Sequence, residues 1–367
     1  MAEERKQVRE FMTGWFGDGP VPQSMEVWSM RDKAGLMGTA KSRRAVPAFR
    51  PFDMIAAPNG SVLVFENEDQ RLGVESVCGA QPVFLRHLDF QTAYFQFAGK
   101  TELETEYGVV EMKPGDLALI PEGIAHRGTG SADSLRWYFQ IKEPVQHMFT
   151  GEKQTSRTEY EVVRRGGPNW TVPADRAQPA KGRVVEHMVQ WRDPSPDYYT
   201  VIERDYGSLV DASSKKRDSK VSGIKHIAAF DCFTEVTGRH GPGPKLLQSK
   251  NFVIEAYNTV GEQLAFHRGL LSEEFAIQFA GKAINMTELE ARQQTDPGDC
   301  AIVPLGIAHA VLCEPGFLRM VPYSRIPWEV RVDPAKHAFR STFEVKTKVV
   351  EPHAGHKTLA DELAQAH

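Results

Sequence analysis

The chain has 367 residues, of which 41% are hydrophobic and 25% are charged, a composition typical of a globular protein with two cores or one large one. The formal net charge is −4 and the isoelectric point is near 6.3, which argues against a nucleic-acid partner. Four cysteines without a CxxC pair, a charged N-terminal segment without an apolar core, and no run of 18 apolar residues argue against a disulfide framework, a signal peptide and a membrane span. These features predict a cytoplasmic protein.

Residues 1–60 are predicted to form an N-terminal arm. Within it, RKQVREFMTGWF has helical spacing, with Val8, Phe11 and Met12 on one side, and predicts a short helix. At the other end of the chain, HKTLADELAQAH predicts a second amphipathic helix within a tail of residues 331–367.

An internal repeat organises the chain between these ends. FQFAGK at 95–100 returns as IQFAGK at 277–282, and PGDLALIPEGIAH at 114–126 returns as PGDCAIVPLGIAH at 297–309. The two blocks recur in the same order, and their offsets differ by a single position, so they belong to one duplicated unit with one insertion in a loop. The units are predicted at 61–145 and 226–330, joined by a connector at 146–225 that contains strands.

Each unit is predicted to be β structure. Short apolar runs end at glycine, the PGD sequence is a turn, and Pro121 and Pro304 end the following strand because proline cannot donate to a ladder. Glycine makes another turn, and a histidine then begins the next strand in each copy, at His126 and His309. Many short strands at even spacing indicate a barrel or a sandwich.

The segments Gly115–His126 and Gly298–His309 fit the pattern G-D-x-x-x-x-P-x-G-x-x-H, which resembles the second conserved motif of cupins. The chain therefore resembles a bicupin. The resemblance implies an all-β fold of two tandem cupin (jelly-roll) barrels, and with the two predicted helices the expected fold is these barrels with short flanking helices.

Comparison of the two copies predicts different interiors. When FQFAGK is aligned with IQFAGK, Leu85 replaces His267, and Gln91 and Thr92 replace Glu273 and Glu274. Only His126 matches His309, although the nearby His87 is available as a partial replacement. The N-terminal barrel is therefore expected to be metal-free, with His126 as a structural histidine.

The C-terminal barrel is predicted to bind a metal through His267, one of two glutamates, and His309. Imidazoles and a carboxylate inside a barrel are costly unless they are paired or bind a cation, and such a facial triad is typical of non-haem Fe(II) sites, with Mn, Ni and Zn also open. Strand alternation allows only one of Glu273 and Glu274 to face inward. The cupin spacing, in which the acid precedes a glycine at a fixed distance, selects Glu274.

A narrower resemblance favours Glu273. HRGLLSEEF is similar to the metal motif of homogentisate 1,2-dioxygenases, with His267, Arg268, Ser272 and Glu273 matching and one extra glutamate before Phe275. The distance from His267 favours Glu273 slightly, with Glu274 as the alternative.

The segment at 230–254, FDCFTEVTGRHGPGPKLLQSKNFVI, is similar to a second block of the same family. The resemblance assigns His240 an acid/base role beside a substrate hydroxyl. Expected pocket residues are Phe266, Arg268, Phe279 and Tyr323, and Arg319 is a second candidate cation for a carboxylated substrate.

These resemblances imply an Fe(II)-dependent dioxygenase that cleaves the ring of a para-dihydroxylated aromatic substrate with O₂. The shorter large subunits of hydroquinone 1,2-dioxygenases belong to the same superfamily, so both homogentisate and substituted hydroquinones are retained. Expected partners are the small aromatic substrate and O₂, further copies of this chain in a homo-oligomer and, as an open option, a separate small subunit. Two alternatives also stay open: another metal-dependent cupin enzyme (an isomerase or hydrolase), and a non-catalytic ligand-binding bicupin.

Overall fold

A computed structural model describes residues 7–13, 22–29, 46–81, 83–106, 108–149, 156–172, 184–191, 198–205, 224–232, 243–259, 261–262, 266–269, 271–287, 292–334 and 340–352. Strands dominate these residues, and the helices among them are two short 3-10 helices at Pro51–Met54 and Ala229–Cys232. In the described part of the chain, no helix is long and apolar enough for a membrane crossing. All four cysteines are buried.

The strands are, in chain order, β1 Gln7–Thr13, β2 Pro22–Ser29, β3 Val46–Phe49, β4 Ser61–Glu66, β5 Gln70–Ser76, β6 Gly79–Ala80, β7 Phe84–His87, β8 Gln91–Ala98, β9 Thr101–Thr105, β10 Gly108–Met112, β11 Asp116–Ile120, β12 His126–Gly130, β13 Leu135–Ile141, β14 His147–Met148, β15 Ser156–Arg165, β16 Val184–Trp191, β17 Tyr198–Asp205, β18 Lys225–Ala228, β19 Lys245–Gln248, β20 Phe252–Tyr257, β21 Gly261–Glu262, β22 Phe266–Gly269, β23 Glu273–Ala280, β24 Ala283–Thr287, β25 Arg292–Thr295, β26 Cys300–Val303, β27 Ala308–Cys313, β28 Leu318–Ser324, β29 Glu329–Val330 and β30 Thr342–Pro352.

Each repeat forms a barrel of two seven-stranded sheets. In the N-terminal barrel the outer sheet has the order β10-β9-β12-β7-β16-β17 with β6 beside β12, and the inner sheet has the order β18-β11-β8-β13-β5-β4-β29. In the C-terminal barrel the outer sheet has the order β2-β1-β22-β27-β24-β25 with β21 beside β27, and the inner sheet has the order β14-β19-β20-β28-β23-β26-β3. The expected all-β architecture of two tandem jelly-roll barrels is confirmed.

The turns that precede the motif histidines have the backbone that their sequence predicts. Gly115 and Gly298 have φ values of 92° and 87°, and Gly123 and Gly306 have values of 79° and 81°, a region that favours glycine. The aspartate after the first glycine accepts a backbone N–H three residues earlier in both copies, from Lys113 and from Asp296. These turns start β11 and β26 and separate them from β12 and β27 at fixed positions.

The two barrels pack through their inner sheets. The outward faces of these sheets form one aromatic core, in which Phe95 lies 5.7 Å from Phe279 and Trp137 lies 5.3 Å from Phe275 between ring centroids. Separate, smaller apolar clusters fill the barrel interiors. Each inner strand therefore has one face in the shared core and one face inside its own barrel.

Strands are exchanged between the two halves in a reciprocal pattern. The strands that precede the N-terminal barrel join the C-terminal one, because β1 pairs with β22 and β3 pairs with β26. The strands that precede the C-terminal barrel join the N-terminal one, because β16 pairs with β7 and β18 pairs with β11. The strands that follow the barrels also cross over: β14 pairs with β19, β29 pairs with β4, and β15 pairs with β30.

The N-terminal helix expected from helical spacing is instead strand β1, and that prediction was wrong. The register pairs Glu10 with Phe266 on one side and Arg9 with Val27 on the other. Ladder bonds to two strands, one of them in the C-terminal repeat, outweigh a weak local helical preference. The predicted C-terminal helix at 356–367 lies outside the described residues.

Candidate metal centre

Adjacent glutamates at the start of β23 have opposite surroundings. The Glu274 side chain lies inside the barrel, where its Oε2 is 2.9 Å from Nε2 of His309. Glu273 is 2% exposed, and its Oε2 accepts a hydrogen bond of 2.8 Å from the backbone N–H of Trp328. The spacing from His267 slightly favours Glu273 as the ligand. The geometry instead favours Glu274, because Glu274 is the acid beside His309.

His309 is held at the start of β27 by the preceding turn. It is 3% exposed, and Nδ1 lies 3.3 Å from the carbonyl oxygen of Ile307. A carbonyl only accepts hydrogen bonds, so the Nδ1 proton is directed at Ile307 and Nε2 faces Glu274. Burial lowers the pKa of His309, but the Glu274 charge, its hydrogen bond and the Ile307 carbonyl together raise the pKa by more, and the net pKa is raised.

In this arrangement two hydrogen-bond acceptors, Glu274 Oε2 and His309 Nε2, face each other when the imidazole is neutral. With Nδ1–H directed at a carbonyl, Nε2 of a neutral ring has a lone pair, and an ionised Glu274 also offers only lone pairs. The contact is satisfied by an imidazolium proton or by a cation that both atoms bind. A buried imidazole and a carboxylate with lone pairs that converge are a donor set that fits a divalent metal.

The N-terminal barrel provides an internal comparison at the same position. His126 is also buried, and its Nδ1 lies 3.0 Å from the Ile124 carbonyl oxygen. Its Nε2, however, accepts a hydrogen bond of 2.9 Å from the Tyr94 hydroxyl, which is a donor. A neutral imidazole is fully satisfied there, as the structural interpretation of His126 expects. His87 lies nearby, with its ring centroid 5.3 Å from that of His126 and its Nδ1 2.8 Å from Thr92 Oγ1.

The third proposed ligand, His267, lies in β22 directly opposite His309 in the antiparallel ladder. In the N-terminal barrel the equivalent pair is Leu85 and His126, which agrees with the alignment of the two repeats. The side chain of His267 lies outside the described residues. Within the described residues, no group of three or more His, Cys, Asp or Glu side chains is arranged to bind a metal.

Three polar side chains that the sequence analysis largely missed share the C-terminal barrel interior. The Tyr257 hydroxyl donates a 2.5 Å hydrogen bond to Glu255 Oε2 and lies 3.0 Å from the Tyr323 hydroxyl. Burial raises the pKa of Glu255 well above its usual range. The hydrogen bond from Tyr257 and the charge of Lys245 lower this pKa, but by less than burial raises it. Burial likewise raises the pKa of Tyr257 and Tyr323 well above the usual value.

A sequence signal for two of these residues exists. In FVIEAY, Phe252, Ile254 and Ala256 alternate with Val253, Glu255 and Tyr257, and the first set faces the shared core. Period-2 alternation therefore predicts that an acid and a tyrosine face the barrel interior together. Tyr323, an expected pocket residue, pairs with Glu274 across the strands and lies in this interior.

The remaining expected residues are placed differently or are not described. Phe279 lies in the core between the barrels, 4.7 Å from Phe230 between ring centroids, so the pocket role expected for it is corrected to a packing role. Arg319 is buried and its guanidinium is occupied by protein acceptors. Phe266 and Arg268 belong to β22, but their side chains lie outside the described residues, as does the whole of His240.

No family model matches the sequence, and no curated protein matches it. Solved structures with similar architecture include a cupin 2 conserved barrel domain protein from Leptotrichia buccalis, with 11% identity, 77% of this chain and 98% of that chain covered, and a TM-score of 0.43. An oxalate decarboxylase from Lactobacillus farciminis has 11% identity, coverage of 79% and 90%, and a TM-score of 0.44. Protein Ylba from E. coli has 9% identity, coverage of 77% and 94%, and a TM-score of 0.39.

By its own strand order and repeat, the chain is an all-β protein of two tandem cupin-type jelly-roll barrels. The acid–imidazole pair distinguishes the C-terminal barrel from its twin, whose equivalent positions are Thr92 and His126.

Proposed function

We propose that the C-terminal barrel is the metal centre of an enzyme, with His267, Glu274 and His309 as the ligands. The observation that carries this proposal is the 2.9 Å contact between Glu274 Oε2 and His309 Nε2 inside the barrel, because a cation bound by both atoms satisfies this buried carboxylate–imidazole contact. His267 is included because it lies opposite His309 in the ladder, and paired positions of antiparallel strands share one face of a sheet.

The specific activity proposed is O₂-dependent ring cleavage of a para-dihydroxylated aromatic compound, homogentisate or a substituted hydroquinone. Two histidines and one carboxylate are the donor set of non-haem Fe(II) oxygenases. When bound, Fe(II) supplies Lewis acidity and exchangeable coordination positions for the reactants. The resemblance of HRGLLSEEF and of residues 230–254 to homogentisate dioxygenases supports the substrate class, with Glu274 in place of the slightly favoured Glu273.

The chain's own residues support binding of a phenolic substrate beside this centre. Tyr323 and Tyr257 have hydroxyls 3.0 Å apart, and their raised pKa values leave both as neutral hydrogen-bond donors or acceptors at working pH. Glu255, whose pKa burial raises, ends this chain of polar groups. His240 is proposed, from the resemblance alone, to accept the proton of the substrate hydroxyl.

The test is anaerobic reconstitution of the full chain with Fe(II), followed by O₂ addition in the presence of homogentisate, gentisate, hydroquinone or a substituted hydroquinone. We expect stoichiometric O₂ uptake with at least one of them, a new ring-fission absorbance, and both atoms of ¹⁸O₂ in the product. The Glu274→Gln variant serves as the inactive control.

Metal retention without O₂ uptake on any substrate would overturn the dioxygenase proposal and leave a metal-dependent enzyme of another class. Failure to retain Fe(II), Mn(II), Ni(II) or Zn(II) would overturn the metal centre itself.

A further inference from the structure

A fully buried arginine lies inside the N-terminal barrel with part of its guanidinium unused. Arg136, in β13, is 0% exposed, and its Nε donates a 2.5 Å hydrogen bond to Glu75 Oε1. The guanidinium carbon lies 3.9 Å from the centroid of the Tyr94 ring. Both terminal nitrogens, Nη1 and Nη2, are buried and have no hydrogen-bond partner among the described residues.

The twin barrel shows how such an arginine is normally satisfied. Arg319 occupies the same place in β28, and its guanidinium donates to Gln278 Oε1, Asn285 Oδ1 and Thr295 Oγ1 at 2.9–3.1 Å. Every donor nitrogen of Arg319 therefore has a protein acceptor, and the side chain has a structural role.

The partners of Arg319 are replaced in the N-terminal copy. In the alignment of the repeats, Leu103 stands where Asn285 stands in the twin, and Met112 stands where Thr295 stands. Gln96 matches Gln278, but its Oε1 has no hydrogen-bond partner among the described residues. Two of the three acceptor positions that satisfy Arg319 are therefore apolar here, and the third, Gln96, pairs with Arg136 across the strands but does not accept a hydrogen bond from it. A buried donor left unmatched is costly, so Nη1 and Nη2 retain donor capacity for an added acceptor.

The residue beside the guanidinium is a glycine, Gly128, in this barrel and a branched valine, Val311, in the other. A Cβ atom at Gly128 would lie 3.2 Å from Gln81 Oε1, 3.2 Å from Val77 Cγ1 and 3.3 Å from Nη1 of Arg136, and the twin residue is Val311. Gly128 has no left-handed backbone that would require glycine. A branched side chain at this position would crowd Nη1, whereas glycine does not.

We propose that the N-terminal barrel binds a small carboxylate, with its two oxygens on Nη1 and Nη2 of Arg136. The guanidinium fork matches a carboxylate in a two-bond geometry. Glu75 fixes the fork through Nε, and the Tyr94 ring supports one face of it. This site is separate from the proposed metal centre and needs no metal.

The probes are acetate and benzoate, with acetamide and benzamide as neutral isosteres. Titration calorimetry and thermal unfolding are measured on the full chain after treatment with a chelator. We expect one carboxylate bound per chain, a midpoint of unfolding that rises with its concentration, and no such effect from the amides. Binding that survives chelation and the Glu274→Gln substitution is separate from the metal centre.

Two variants test the location. Gly128→Val installs the twin's residue, and Arg136→Gln removes the fork. Arg136→Gln loses the charged hydrogen bonds and Gly128→Val crowds Nη1, and we expect roughly 10- to 100-fold weaker binding in each. Val311→Ala, in the C-terminal interior, should leave the affinity unchanged. Equal affinity of Gly128→Val and the parent, equal binding of amides and carboxylates, or no binding of either acid at millimolar concentration would each overturn the proposal.

Discussion

Glu273 and Glu274 are neighbours in the sequence, yet their side chains lie on opposite faces of the sheet in different surroundings. One carboxylate accepts a backbone hydrogen bond beside the shared core, and its neighbour meets a buried imidazole inside the barrel. The sequence predicts that the two face opposite sides, because strand alternation requires it. It does not determine which side is inward, because that phase depends on how β23 pairs with β26 and β28.

Glutamine at each position tests the assignment. We expect Glu274→Gln to lose tightly bound Fe(II), with affinity reduced roughly 10- to 100-fold or more, because an amide is a much weaker metal ligand than a carboxylate. Glu273→Gln should retain the metal, since its amide oxygen can still accept from Trp328. Metal content after dialysis, measured by elemental analysis, separates the two, and the reverse result would assign the ligand to Glu273.

Glu255 should make stability depend on pH. Its folded pKa lies above that of the unfolded chain, so the native state binds this proton more tightly. The resulting stability is full below about pH 4 and declines as pH rises through the folded pKa. Glu255→Gln removes the decline, so we expect its melting temperature to exceed the parent's by a few degrees more at pH 8 than at pH 4.

Melting curves at intervals from pH 4 to pH 8 check this expectation. Glu122→Gln, at an exposed turn, is measured in parallel as the control substitution. A Glu255→Gln difference that does not change with pH would contradict the raised pKa.

Individual elements were predictable where their signals are local. The PGD turns, the prolines that end β11 and β26, and the strand-initiating histidines all follow from nearby residues. The identity of β1 does not, because its partner β22 belongs to the C-terminal repeat, far away in the sequence. The exchange of edge strands between the barrels has no local sequence signal either. The alternation of apolar and polar residues along a strand does not indicate which barrel the strand joins.

The crossing strands contact the aspartates of the PGD turns through side-chain pairs of unequal burial. Asp299 pairs with Arg50, which follows β3, at 2.8 Å with side chains 6% and 5% exposed respectively. Its counterpart Asp116 pairs with His226, in β18, at 3.1 Å, and that histidine side chain is 35% exposed. The first pair therefore leaves a buried charge behind when broken, and the second does not.

Asparagine substitution should separate these two pairs. Asp299→Asn leaves Arg50 buried without its counter-charge, and we expect a loss of about 3–5 kcal/mol in unfolding free energy. Asp116→Asn should cost about 1 kcal/mol or less, because the pair is partly in water. Denaturant unfolding of both variants provides the comparison, and equal losses would show that burial does not govern the difference.

At the scale of the whole molecule, the two barrels share one aromatic core and should unfold together. Phe279 of the C-terminal barrel contacts Phe95 and Phe97 of the N-terminal barrel. Phe279→Ala should cost about 3–5 kcal/mol. Hydrogen exchange should accelerate in β8 as well as in β23, because the cavity borders both.

Val311→Ala, which alters the C-terminal interior, is the matched control. Its effect on exchange should be concentrated in β24, β27 and β28. Acceleration confined to β23 in the Phe279→Ala protein would show that the barrels open independently.

The reciprocal exchange of strands also sets an order for biosynthesis. As the chain leaves the ribosome, β1 and β3 emerge well before their partners β22 and β26, which belong to the second repeat. The N-terminal barrel in turn waits for β16, β18 and finally β29 before its sheets are complete. Neither half has all of its sheet partners within its own repeat, so we expect that a chain cut between the halves yields two fragments that fold only in each other's presence.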